Sequence, residues 1–148
     1  MTRQFITVEI ADQWLGVDIM AVREIRAWSP ATPLPNTPEH IRGVVNLRGV
    51  VLPVLDLSGR LGWGTTSTTE RHAIVVVEIG SQLQGIIVDG VNDIVSVSPD
   101  DLHSVPDTGT TKSPTLLEGL AHVDGRLVLV LALDQLGLND TEAWKEAA

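Results

Sequence analysis

Four histidines, His40, His72, His103 and His122, are by type the residues best suited to hold a metal or move a proton, but they lie isolated from one another and form no H-E-x-x-H pair. The chain has no cysteine, which excludes disulfides, thiolate zinc sites and a cysteine nucleophile. It carries no G-x-S-x-G elbow and no Walker loop, and Gly62-Trp63-Gly64 lacks the third glycine and following helix of a dinucleotide loop. Asp100-Asp101 follow Ser98-Pro99 at a helix start, where carboxylates meet the dipole favourably, so a catalytic acid pair is the weaker reading. Asp56, Asp89 and Asp93 read as turn and cap residues.

Arg48 and Glu24 stand apart from these. Arg48 lies in the tip Asn46-Leu47-Arg48-Gly49 between two apolar runs, and Glu24 lies between Val22 and Ile25 among apolar neighbours. Two readings are open. The pair could be internal, worth about 0–1 kcal/mol if exposed. Alternatively it marks a protein-docking patch, where a planar guanidinium offers several donors amid aliphatic area and Asn46 extends the polar edge.

The elements that must position these residues occur twice. Val8-Glu9-Ile10 to Gly16 aligns with Val77-Glu78-Ile79 to Gly85, and the spacing of 69 continues through Val22/Val91, Glu24/Asp93 and Ile25/Ile94. A second block repeats at a spacing of 76: Pro38/Pro114, Gly43/Gly119, Gly49/Gly125 and Val54-Leu55/Val130-Leu131. Each copy offers about five short β-branched segments without long helical periods, which predicts an all-β chain of two tandem five-stranded SH3-like barrels. The expected lobes are residues 1–64 and 71–136, joined through the small polar stretch from Gly62 to Glu70. Short helical turns follow Thr37-Pro38, Ser98-Pro99 and Ser113-Pro114, and a short terminal helix is expected over 139–148, capped by Asn139 and anchored by Trp144. The two copies disagree at one tetrapeptide, Asn46-Leu47-Arg48-Gly49 against His122-Val123-Asp124-Gly125. Asp-Gly is an ordinary type I′ hairpin signal, whereas turn chemistry does not ask for an arginine.

At 148 residues the chain can bury roughly 68–70% of its unfolded surface, so it needs no outside staple. A net charge of −9 disfavours nucleic acid and anionic lipid as partners. No apolar run approaches the ~18 residues of a membrane span, and the N-terminus has no signal core, so a cytoplasmic location without direct membrane insertion is expected.

The strings Glu24-Ile25-Arg26, Asn36-Thr37-Pro38, Ile41-Arg42-Gly43-Val44-Val45-Asn46-Leu47-Arg48-Gly49 with its continuation to Asp56-Leu57, and Gly85 to Val91 resemble the CheW family of bacterial chemotaxis coupling proteins. The resemblance runs from Gln4 to Leu136 as a single CheW-like domain. It implies a non-enzymatic, cofactor-free adaptor that links the cytoplasmic tip of methyl-accepting chemoreceptors to the regulatory domain of a CheA-type histidine kinase, recruited to membrane receptor arrays. Carried over by position, the receptor groove would use Val22, Glu24, Ile25, Gly43, Asn46 and Arg48 from the first copy, and Gly85 and Val91 from the second. Kinase contacts would use the hairpin of Gln13, Leu15, Val17 and Ile19, and the loop of His103 and Thr108. Ser58, Trp14 and a loop after Pro106 without an aromatic depart from the family pattern, the last weakening the second kinase contact. The alternative class is a small-ligand-binding sensory barrel, which would need a concave pocket of roughly 300–1,000 Å³ with converging polar groups.

Overall fold

Burial with a period of two shows how the chain is layered. In β1 (Arg3–Ile10), Ile6, Val8 and Ile10 turn to one face and Phe5 and Thr7 to the other, and all five are buried. The same holds for β6 (Ala73–Ile79), where Val75 and Val77 face opposite to Ile74 and Val76. Strands covered on both faces must lie between two packed bodies.

The computed structural model describes residues 2–36, 40–64, 71–105 and 116–136. The remaining strands are β2 (Gln13–Asp18), β3 (Val22–Ala27), β4 (Ile41–Leu47), β5 (Val50–Asp56), β7 (Gln82–Val88), β8 (Gly90–Val97), β9 (Leu102–His103), β10 (Leu117–Val123) and β11 (Arg126–Leu131). Among the described residues helix is confined to single turns: Ile19–Ala21, Pro99–Asp101, α1 (Leu57–Arg60) and α2 (Leu133–Leu136). The expected turns after Thr37-Pro38 and Ser113-Pro114 and the terminal helix over 139–148 lie outside the described residues, or begin there.

The ten expected strands form, and the chain is all-β with two barrel-type sheets. The contiguous lobes expected at 1–64 and 71–136 do not form. One sheet runs β8-β1-β2-β11-β10-β9 and the other β3-β6-β7-β5-β4, so each sheet draws strands from both copies. The first hairpin of each copy, β1-β2 or β6-β7, is inserted into the sheet built by the other copy's later strands. The exchange is reciprocal to the residue: β11 pairs parallel with β2 at Val130↔Gly16, and β5 pairs parallel with β7 at Val54↔Gly85. Equivalent bulges interrupt β1-β8 between Ile6 and Val8 and β3-β6 between Val22 and Glu24.

The cause is the doubly buried hairpin. Ile6, Val8, Ile10, Leu15 and Val17 from one sheet meet Val75, Val77, Ile86 and Val88 from the other in a shared central cluster. The opposite faces of the same hairpins close two smaller cores, Phe5 with Val97, Ala121 and Val130, and Ile74 and Val76 with Leu47 and Leu52. Each inserted hairpin thus belongs to one barrel interior and to the junction at once.

A candidate docking site at the Arg48 hairpin

The β4-β5 turn adopts positive φ at both central residues, 50° at Arg48 and 86° at Gly49, and its counterpart does the same at Asp124, 51°, and Gly125, 79°. Left-handed backbone costs a residue with a Cβ about 1–2 kcal/mol. Asp tolerates it better than Arg, so the turn holds Arg48 against its own preference. Asn46 supports the arrangement by accepting a hydrogen bond at Oδ1 from Gly49 N at 2.8 Å.

From this tip the Arg48 guanidinium donates to Glu24 on β3, and Arg26 Nη1 lies 3.8 Å from the other Glu24 oxygen. The internal pair is therefore formed. It does not consume the arginine, whose side chain remains 70% exposed against 28% for Glu24. In the second copy the equivalent positions are Asp93 and Asp124, two acids that cannot pair. There the bulge is held instead by Thr7, whose buried hydroxyl donates to Asp93 O and accepts from Asp93 N, both at 3.0 Å.

Glu24, Asn46 and Arg48 are thus brought together, with Arg26, which the sequence reading missed, as a second cation. Ile25 follows on β3, 44% exposed on the opposite side of the strand from Glu24. Val22 and Val91 are half-buried and pack against the central cluster. Gly43 and Gly85 do not face a groove. Gly43, at φ 149°, is buried beneath the Thr32 backbone, where a Cβ would fall on the Thr32 carbonyl. Gly85 is buried in the barrel interior, and a Cβ there would come within 2.8 Å of Ile74. Close packing accounts for a glycine at both positions, and in a sequence string that looks the same as a docking role.

Of the residues expected at the kinase face, Gln13 and His103 are exposed and Ile19 is half-buried, but Leu15 and Val17 are fully buried in the central cluster. They cannot contact a partner, because the β1-β2 hairpin is enclosed on that face. Thr108 lies outside the described residues. Val50, Val51, Ile94 and Leu127 are exposed as well, and Ile25/Ile94 and Val51/Leu127 occupy the same positions in the two copies.

Among the described residues no group of three or more His, Cys, Asp or Glu could hold a metal, and no helix is long and apolar enough to cross a membrane. The described strands form two sheets that exchange hairpins and present a charged turn tip at Arg48. The chain belongs to the CheW-like family, whose CheW-like domain matches residues 4–139. It is 42% identical over 134 residues to Chemotaxis protein CheW of Rhizobium meliloti, spanning 90% of this chain and 86% of that protein. It is 38% identical to a probable chemotaxis protein CheW of Rhizobium etli over 95% of this chain and 90% of the relative. The crystal structure of the scaffolding protein TtCheW from Thermoanaerobacter tengcongensis superposes with a TM-score of 0.83 at 31% identity, covering 94% of this chain and 90% of that one. These likenesses establish a chemotaxis scaffold, and the ligand-binding alternative finds no support in them.

Proposed function

We propose that the protein is a non-enzymatic adaptor that couples the cytoplasmic tip of chemoreceptors to the regulatory domain of a CheA-type histidine kinase, and that it acts in the cytoplasm on membrane receptor arrays. The carrying observation is Arg48, an exposed arginine held in left-handed backbone at a turn whose counterpart uses Asp124. The receptor face is Glu24, Asn46 and Arg48, with Ile25 on the reverse of β3 and Val22 and Val91 packed at the central cluster extending the contact. The kinase face is the β1-β2 turn around Gln13 and the strand end at His103.

A bridge with two separate faces gives a concentration optimum, because surplus copies occupy receptors and kinases separately. In a reconstituted array, kinase activity is expected to rise with added protein and then to fall in excess. A curve that saturates without decline, with the surplus shown to be folded, would overturn the adaptor reading.

A further inference from the structure

Position 20 of the first copy corresponds to position 89 of the second, and the two junctions between the sheets are finished differently there. Asp89 is structural: its Oδ2 accepts from Ala11 N at 2.8 Å, and its Oδ1 lies 3.2 Å from His72 Nε2. Its counterpart is Met20, which projects from the Ile19–Ala21 turn and is 79% exposed. A fold that can brace this junction with an aspartate carries instead a bare, flexible thioether, a side chain suited to adaptable docking.

Met20 forms one lip of an open cleft of about 320 Å³ at this junction, with Ala21, Leu131 and Leu133 as its apolar lining. Its charges are unbalanced. Four carboxylates, Asp18, Glu78, Glu118 and Asp134, face two guanidiniums. Arg3 is taken up by Glu118 and, at 3.0 Å, by Asp18. The hydrogen bond to Glu118 raises the Arg3 pKa further above its ordinary value, so Arg3 stays charged and bound. Arg23 is engaged by Glu78 at 3.3 Å and by the Met20 carbonyl at 2.9 Å. Asp134 has no ion-pair partner among the described residues. Among the described residues the cleft thus offers a surplus carboxylate beside exposed and half-buried apolar surface.

We propose that this cleft is a docking socket for a basic segment of a protein partner, in which a Lys or Arg sits against Asp134 while a neighbouring Leu or Met covers Met20 and Leu133. A charge-assisted contact would set the orientation and the apolar neighbours would supply the buried area. The lining of this socket includes none of Glu24, Asn46 and Arg48, and the proposal goes beyond the coupling role proposed above.

The test uses the full chain and two designed amphipathic helical peptides, one with Lys beside Leu on one face and a twin with Glu in place of Lys. Met20 is one of only two methionines, so methionine methyl NMR reads the site directly. The Lys peptide is expected to shift the Met20 methyl signal and the Glu twin to leave it. Asp134→Lys should weaken Lys-peptide binding about tenfold, equivalent to about 1.4 kcal/mol, and Asp134→Asn should weaken it less. Asp124→Lys, the same charge change outside the cleft, should leave it unchanged. The proposal is overturned by an unmoved Met20 methyl signal, by equal shifts from the Glu twin or from spermine, or by equal weakening in Asp124→Lys. None of these readouts involves receptor or kinase, so the result stands apart from the adaptor titration.

Discussion

At the residue scale, Arg48 carries a functional expectation that its own contacts do not explain. The ion pair with Glu24 is mostly solvent-exposed on the arginine side, and such pairs are worth about 0–1 kcal/mol. Arg48→Glu is therefore expected to unfold within about 1 kcal/mol of the parent while losing receptor coupling in pull-downs. A loss of several kcal/mol in thermal unfolding would make the residue structural. Gln84 is the converse case. It is 1% exposed, its Oε1 has no hydrogen-bond partner among the described residues, and the equivalent position in the first copy is Leu15, buried in the central cluster. An orphaned buried acceptor costs about 1–3 kcal/mol, so Gln84→Leu is expected to stabilise by about 1 kcal/mol, read as a higher denaturant midpoint with unchanged slope. Arg48 was legible in the sequence because turn chemistry left it unexplained. Gly43 and Gly85 were misplaced because a glycine required by packing and a glycine at a binding surface look alike until the neighbouring atoms are known.

At the element scale, the strands were legible because burial on a pleated surface imposes a period of two and turn residues mark the ends. Their partners were not. Pairing depends on which apolar face meets which, and β1 pairs with β8 across separations that run from Glu9↔Gly90 to Arg3↔Val97, which local pattern does not encode. The segment crossing Gly43 shows how such packing is fixed. Thr32 N and Val44 N exchange hydrogen bonds with the opposite carbonyls at 2.8 and 2.9 Å, and Leu120↔His103 repeats the contact over Gly119. Gly43→Ala is expected to destabilise by more than about 2 kcal/mol, combining a positive φ with a collision against backbone that cannot rotate away. Receptor and kinase binding should fall together. Loss of receptor binding alone, with normal unfolding, would restore Gly43 to the docking surface.

At the scale of the whole molecule, the two halves of the chain are held to each other by backbone pairing in both sheets. β1-β8 and β11-β2 join them in one sheet, β3-β6 and β5-β7 in the other. Covalent continuity through residues 65–70 therefore adds little to the assembled structure. With a protease site placed in that stretch, the cut protein is expected to remain one particle in gel filtration and to separate only in denaturant. Separation without denaturant would mean that the exchanged hairpins contribute little to holding the halves together.

The same exchange sets an order of events during synthesis. Chains emerge from the ribosome from the N-terminus at about 5–20 residues per second, and the sheet made of β3 to β7 has all its strands once Val88 is out. The other sheet holds the first two strands of the chain, yet it lacks β11 until Leu131. The earliest-made hairpin, apolar on both faces, thus waits for most of the chain before its barrel can close. That interval of several seconds is when a nascent chain of this design most needs a holding chaperone, and it is longest for the strands born first.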